Sequence, residues 1–249
     1  PDGDGWHNFS GSDEILSFYV PAYNTVDNLL RWNDWGAWDS ETWKWAGATQ
    51  DYDLYLFYYN AATKTWVQVP DACTFNRQPA YSLPIEEAGG YYASQGAYWG
   101  VGIYKHNAAK KVYFDLFVFT HSSMEYANAS GSIGIPGDSP DIIAVGATDA
   151  LTDELHSYSS QGPTLDGRIK PDVCAPAGVS TSNLTFGNRG FYGTSAACPH
   201  MAGLIALFKS RTPFAVEQIV NTIYARVLDL GTAGFDNLFG RGRIRVGGD

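Results

Sequence analysis

Long apolar runs are missing from this chain of 249 residues. No stretch approaches the roughly 18 consecutive apolar residues of a membrane-spanning helix, so we expect no such helix and no membrane partner. Neither an initiator Met nor a signal peptide precedes the opening Pro1-Asp2-Gly3-Asp4 sequence. We interpret this opening as the interior of a longer protein.

Positive charge is also scarce. Lys and Arg total 16 against 26 Asp and Glu, and the net charge of −10 argues against a nucleic-acid partner or an anionic membrane surface. The acidic composition is explained by solubility, or in part by loops that hold calcium. Asp2 and Asp4 are the candidate ligands of such a structural Ca²⁺, with an ordinary acidic turn as the alternative.

Cysteines number only three, and no two of them form the C-x-x-C pair that many zinc sites use. Cys198 lies in an apolar segment, where we expect it to be a small buried residue of the core. A disulfide between Cys73 and Cys174 is left open by the sequence.

Glycine and aromatic residues, by contrast, are plentiful, with 27 Gly, 16 Tyr and 8 Trp. This composition is typical of a β-rich extracellular protein, and we expect the chain to be secreted. From about residue 14 to 122 short strands rich in β-branched and aromatic residues alternate with turns, which predicts a β-sandwich. Two strand pairs are predicted, 51–59 with 65–69 and 100–106 with 111–120.

Five tryptophans in the same region allow two interpretations. In an exposed row they would stack on sugar rings or substrate chains, and in a buried cluster they would close the end of the sandwich. The five are Trp32, Trp35, Trp38, Trp43 and Trp45.

From about residue 125 onward the pattern changes. The apolar run 141–147 predicts a strand buried in a parallel sheet. A helix begins near Ser195 and is small or apolar all round, so we expect it to be buried on most faces. A second helix is predicted with Thr212 as N-cap and Pro213 at its first position, and its apolar face comprises Val216, Ile219, Val220 and Ile223.

A serine at the start of an apolar helix is a candidate catalytic residue. The hydroxyl lies beside free backbone N–H groups and the positive end of the helix dipole, which favour an anion such as a tetrahedral acyl-transfer intermediate. The alternative is that Thr194 or Ser195 merely caps the helix.

The longer motif around this serine resembles the nucleophile signature of the subtilisin-like serine proteases. That signature, Gly-Thr-Ser-x-Ala-x-Pro-His-x-x-Gly, is met in full by residues 193–203. The 141–147 strand, the segments 157–163 and 170–178, and the Gly-rich segment 231–244 also resemble parts of that family, in the same order.

The resemblance covers roughly residues 127–246 and implies specific roles. Ser195 would be the nucleophile, its backbone N–H one oxyanion donor, and a polypeptide the substrate. The family chemistry requires no cofactor. The resemblance further implies that a wall of the specificity pocket is formed by Ser132, Gly134 and Ile135.

Three parts of the family's active site have no counterpart here. The Asp-(Thr/Ser)-Gly motif, the His-Gly-Thr-His motif and the Gly-Asn segment of the oxyanion hole are all absent. We therefore expect the Asp, the His and the Asn on an upstream segment or a companion chain, and an isolated chain that is essentially inactive. The chain has five histidines, and none of them matches the motif of the family's base. They are His7, His106, His121, His156 and His200.

The predicted fold class is α/β, the C-terminal part of a subtilisin-like parallel-sheet protease domain plus an inserted, antiparallel, jelly-roll-like β-sandwich. The predicted domains are 1–125 for the sandwich and 126–249 for the protease part. The predicted function is that of a serine endopeptidase, present as a fragment. The alternative is a β-sandwich binding module on an inactive, protease-like scaffold.

Overall fold

The computed structural model describes residues 3–42, 44–74, 83–119, 124–182 and 190–247. The chain divides into two compact units, Pro1–Ala127 and Asn128–Asp249. Each unit has its own buried core. No helix within the described ranges is long and apolar enough to cross a bilayer.

The first unit is built from ten described strands. They are β1 (Leu16–Val20), β2 (Asn24–Trp32), β3 (Trp38–Asp39), β4 (Lys44–Trp45), β5 (Asp51–Asn60), β6 (Thr65–Gln68), β7 (Cys73–Thr74), β8 (Ile85–Ala93), β9 (Ala97–Asn107) and β10 (Phe114–Val118). A short 3₁₀ helix, Pro70–Ala72, precedes β7. Two four-stranded antiparallel sheets result, in the orders β1-β9-β5-β6 and β10-β2-β8-β7, and β3 pairs with β4 in a small ribbon.

A single apolar core is shared by these two four-stranded sheets. Alternate residues of β1 are buried, and so are alternate residues on the facing sides of the other central strands, as a strand period of two requires. From the first sheet the core includes Leu54, Leu56, Val101 and Ile103, and from the second it includes Val26, Leu30 and Trp32.

One predicted strand pair is confirmed and the other is wrong. β5 and β6 form the expected hairpin, with Asn60 opposite Thr65. β9 and β10 do not pair, since β9 lies between β1 and β5 while β10 pairs with β2 in the other sheet. The turn residues between two strands show where a strand ends, but the choice of sheet depends on which distant edge can accept its hydrogen bonds.

The tryptophans of this unit do not form one row. Trp32 is buried in the core, whereas the side chain of Trp38 is 45% exposed on the β3–β4 ribbon. Trp43 lies outside the described residues. The packing interpretation therefore holds for Trp32 and not for Trp38.

The second unit contains a parallel strand pair and two helices. β11 (Val145–Asp149) runs parallel to β12 (Val173–Ala177), and α1 (Thr194–Arg211) packs against both strands and against α2 (Val216–Tyr224). The parallel strand predicted at 141–147 begins later, at Val145. Ahead of it, the Ala144 N–H donates to the Asp172 carboxylate at 2.7 Å.

The expectation that α1 is buried on most faces is wrong for this chain. One face packs on the strands, through Ala196, Ala197, Met201 and Leu204. The other faces are exposed, including Cys198, which was expected in the core, and Leu207, which is 42% exposed. A sheet of two strands covers only one side of a helix.

The start of α2 also differs from the prediction. Ala215 is the N-cap, and its N–H donates to the side-chain carbonyl of Gln218 at 3.0 Å. Thr212 instead closes α1, where its hydroxyl donates to the Phe208 carbonyl. On the predicted apolar face Ile219 and Ile223 are buried, but Val216 is 53% exposed.

The three cysteines are free thiols. Cys73 belongs to the first unit, where the Leu56 N–H donates to its sulfur at 3.3 Å. Cys174 is fully buried in β12 of the second unit. The disulfide that the sequence left open is therefore not formed.

Candidate active site

Ser195 is the second residue of α1, and its side chain is exposed. Gly193 is the N-cap, with φ 92° and ψ 165°, a left-handed backbone that favours glycine. Because Gly193 is the N-cap and no side chain caps the helix, neither Thr194 nor Ser195 serves as the N-cap. The local fold thus leaves the Ser195 side chain exposed at the N-terminal end of α1.

Ser195 belongs to the first turn of α1, whose backbone N–H groups are only partly bonded within the helix. The Gly193 carbonyl accepts the N–H groups of Ala196 and Ala197 at 3.0 and 3.4 Å. The N–H groups of Thr194 and Ser195 precede them and have no acceptor within the helix. Together with the positive end of the helix dipole, they can stabilise negative charge that develops next to the serine.

Tyr158 holds the turn that precedes the serine. The Gly193 N–H donates to the Tyr158 hydroxyl at 3.0 Å. The His156 ring stacks on Tyr158 with centroids 4.7 Å apart, and the Tyr192 ring meets the edge of His156 at 5.8 Å. No local pattern predicts this cluster, since in the sequence Tyr158 stands out only as part of the family-like segment 157–163.

Neither described histidine of the second unit is hydrogen bonded to Ser195. The Nδ1 atom of His200 lies 2.8 Å from the Ala196 carbonyl, one turn back along α1. The Nε2 atom of His156 is buried and has no hydrogen-bond partner within the described part of the chain. His121 falls outside the described residues.

The two remaining histidines belong to the first unit. His106 lies 4.0 Å from the carboxylate of Asp51 and 3.8 Å from that of Asp53. His7 packs edge to face against Phe9 and Phe114, and burial lowers its pKa.

The predicted pocket wall is linked to the segment that carries Tyr158. The Ser132 N–H donates to the Gln161 carbonyl of this segment at 2.9 Å, and the Gln161 N–H donates to the Ser132 hydroxyl at 2.9 Å. Ile135 is 56% exposed and precedes a cis peptide bond to Pro136, and the Gly134 carbonyl accepts the Asp138 N–H. The structure therefore places Ser132 next to Gln161. Gly193, two residues before Ser195, is hydrogen bonded to Tyr158 of the same segment.

The predicted calcium ligands are in the opening segment. Asp4 accepts the Trp6 N–H at 2.9 Å, and Asp2 lies outside the described residues. Within the described ranges, no three His, Cys, Asp or Glu side chains are grouped so as to hold a metal ion. Calcium binding stays a prediction.

Known proteins resemble this chain over part of its length. An extracellular serine protease of Serratia marcescens is 41% identical over 70 residues, which are 28% of this chain and 6% of that protein. Subtilisin E of Bacillus subtilis is 34% identical over 122 residues, 48% of this chain and 29% of that protein. The chain therefore spans well under half the length of these relatives.

A solved structure covers nearly all of the chain. The CspB protease of Clostridium perfringens matches 93% of this chain and 55% of its own, with a TM-score of 0.50 and 16% sequence identity, a likeness that concerns the fold alone. The sequence profile of the subtilase family matches residues 94–242, more than half of the chain. On that match the chain belongs to the subtilase family.

Proposed function

We propose that this chain carries the nucleophile of a serine endopeptidase, and that the nucleophile is Ser195. The observation that supports the proposal best is the exposed Ser195 side chain at the start of α1, behind a glycine cap and among the first N–H groups of the helix, which have no acceptor within the helix. The subtilase match and the protease relatives support the same reaction class.

The proposed reaction is peptide-bond hydrolysis through an acyl-enzyme. A histidine supplied by a partner segment removes the Ser195 proton as the serine oxygen attacks the peptide carbonyl. The Ser195 N–H and a partner asparagine hold the oxyanion. Collapse of the tetrahedral intermediate expels the amine, which takes the proton from the histidine, and water then hydrolyses the ester. Ser132, Gly134 and Ile135 are proposed to line the side-chain pocket of the substrate.

The partner is proposed to be an upstream segment or companion chain that carries the Asp, the His and the Asn. The exposed side of α1 supports this proposal, because a helix with small and apolar residues all round is typical of a buried position. The exposed residues on this side include Ala202, Gly203, Ala206 and Leu207.

The remaining proposals concern organisation and location. We propose that residues 1–125 are a jelly-roll-like β-sandwich inserted into the catalytic domain and that 126–249 are its C-terminal part. The two antiparallel sheets around one core and the division between Ala127 and Asn128 support this organisation. Secretion is supported by the extracellular relatives, and a structural Ca²⁺ at Asp2 and Asp4 is the metal to test.

A fluorophosphonate probe tests the proposed nucleophile. We expect Ser195 to be labelled when the chain is combined with the segment encoded upstream of Pro1, and to be essentially unlabelled in the chain alone. Removing the serine or the histidine of the triad costs about 10⁶ in turnover in subtilisin. Ser195→Ala should abolish the label.

Ser210→Ala is the matched control, since Ser210 lies on the same helix and its hydroxyl donates to the Leu207 carbonyl. This variant should be labelled like the unchanged protein. If the combined protein shows no label on Ser195, the peptidase proposal is wrong and the alternative of a binding module on an inactive scaffold is favoured.

A further inference from the structure

A cavity of about 720 Å³ lies beside the core of the first unit. Its walls come from both four-stranded sheets, since Tyr52 of β5 and Ile103 of β9 belong to one sheet and Phe114 of β10 belongs to the other. Residues from the segment 3–11, which precedes β1, complete the lining. The volume falls within the range of roughly 300–1,000 Å³ that is typical of small-molecule sites.

The walls of the cavity are largely apolar. Tyr52 and Ile103 are buried residues of the core, and Val112 and Phe114 pack against that core. The Tyr52 and Phe114 rings meet edge to face with centroids 4.9 Å apart, and the His7 ring meets Phe114 at 5.5 Å. These walls favour the apolar body of a ligand, because contact with them removes its surface from water.

The segment 3–11 is held against β9 by backbone hydrogen bonds. The His7 N–H donates to the Ile103 carbonyl at 2.9 Å, and the Lys105 N–H donates to the Gly5 carbonyl at 2.9 Å. The cavity is therefore formed before a ligand binds, which reduces the conformational entropy that binding must overcome.

Two ammonium groups border the cavity. Lys105 lies opposite Tyr52 in the β5–β9 pairing, and so on the same face of the sheet as that wall residue. Lys111 lies just before β10. Both side chains are exposed, and neither has an ion-pair partner among the residues that the structure describes. Lys110 differs, because its ammonium donates to the Thr49 hydroxyl at 3.3 Å.

No Asp or Glu is among the described residues that line the cavity, although the chain has a net charge of −10. Asp4, in the segment 3–11, accepts the Trp6 N–H at 2.9 Å. Burial and then the charge of Asp34 raise the pKa of Tyr52, and the Asp34 carboxylate itself accepts the Gln50 N–H at 2.7 Å. The charge at the border of the cavity is therefore positive, which favours an anionic ligand.

We propose that this cavity binds a small organic anion. The apolar body of the ligand lies against Tyr52 and Phe114, and its anionic head group pairs with the ammonium groups of Lys105 and Lys111. A carboxylate and a phosphate ester share this chemistry, and the test distinguishes them. The site lies within the first unit and does not depend on the reactivity of Ser195.

Saturation-transfer NMR titrations of the full chain test the site with probes of similar shape. The Ser195→Ala variant is titrated with phenylbutyrate, with phenylpropyl phosphate and with the neutral phenylbutanamide. We expect at least one of the two anions to bind about five times more tightly than the amide, and the tighter anion identifies the head group. Inorganic phosphate, which has no apolar body, should not displace that anion at equal concentration.

Two variants in the same background identify the charged groups. Lys105→Gln and Lys111→Gln should each weaken binding of the anion about two- to fivefold, the effect expected for losing one exposed ion pair. Lys64→Gln is the matched control, because Lys64 is an exposed lysine in the β5–β6 turn, at the other end of β5 from Tyr52. Binding of phenylbutanamide should be the same in all variants, which shows that the cavity is folded.

Three results would overturn the proposal. The first is that neither anion binds more tightly than phenylbutanamide. The second is displacement of the anion by an equal concentration of inorganic phosphate. The third is a loss of anion binding in Lys64→Gln as large as in Lys105→Gln and Lys111→Gln.

Discussion

The Tyr158 hydroxyl supports the backbone turn at the start of α1, which carries the proposed nucleophile Ser195. It accepts the Gly193 N–H, and its ring is held in place by stacking on His156. The hydrogen bond tethers the glycine whose left-handed backbone directs the chain into α1. Tyr158 therefore acts on Ser195 indirectly, as a positioning residue.

Tyr158→Phe removes this hydrogen bond and keeps the ring stack. We expect the Gly193 amide to exchange its hydrogen up to about tenfold faster, since one such bond contributes about 0.5–1.5 kcal/mol. Amide exchange followed by mass spectrometry of the peptide around Gly193 measures the effect. Tyr224→Phe is the control, because the Tyr224 hydroxyl makes no hydrogen bond to another described residue. Equal exchange in both variants would show that the hydroxyl has no role in the turn.

At the scale of elements, α2 illustrates how much a periodic pattern reveals. The i, i+3, i+4, i+7 spacing identified Ile219 and Ile223 as core residues, and both are buried. It also placed Val216 on the same face, but the helix begins there and its first turn extends beyond the neighbours that cover the rest.

This difference predicts unequal effects of two substitutions. Ile219→Ala should destabilise the second unit by about 2–4 kcal/mol, because it leaves a cavity at a fully buried position. Val216→Ala should change its stability by less than about 0.5 kcal/mol. Chemical denaturation followed by far-UV circular dichroism reports on the described helices, both of which are in the second unit.

Tryptophan fluorescence supplies an internal control for that measurement. All eight tryptophans precede residue 100, so their emission follows the first unit. The fluorescence transition should be the same in Ile219→Ala and in the unchanged protein. Equal destabilisation by Ile219→Ala and Val216→Ala would contradict the burial of Ile219.

Strand pairing marks the limit of prediction at this scale. The β5–β6 hairpin was predictable because its two strands are joined by a four-residue turn between Asn60 and Thr65. The positions of β9 and β10 were not, because β9 pairs with β1 and β5 across long stretches of sequence. Pairing over such distances depends on which edges are open once the core has formed.

For the whole molecule, the exposed side of α1 is the feature with the clearest consequence. A segment that completes the catalytic site would pack there and cover Cys198, which is exposed in this chain. Cys198 is therefore a reporter for the proposed partner segment.

A disulfide-exchange reagent at about pH 8 should modify Cys198 first in the chain alone. Cys174 should stay unmodified, since burial and then the charge of Asp236 raise its pKa to about 12 and keep the thiol protonated. Burial likewise raises the pKa of Cys73. Cys198→Ser should remove the fast phase of the reaction.

Adding the segment encoded upstream of Pro1 should slow the reaction of Cys198 at least about tenfold, as covering a thiol removes access to the reagent. The rate of modification with and without that segment is the measurement. An unchanged rate would show that the partner does not cover this side of α1.

Local signals were sufficient for a large part of the protein. The family motif at residues 193–203, the change from strand-rich to mixed sequence near residue 125, and the parallel character of the strand at Val145 all depend on neighbours in the chain. A motif or a hydrophobic period of this kind can be recognised in the sequence because it constrains residues that are a few positions apart.

Other features depend on residues that are distant in sequence. The support of Gly193 by Tyr158 joins positions 35 residues apart, and β9 pairs with β1 and β5 across long stretches of sequence. The exposure of Cys198 follows from the extent of a two-stranded sheet. Each is set by packing between elements, which a one-dimensional pattern does not encode.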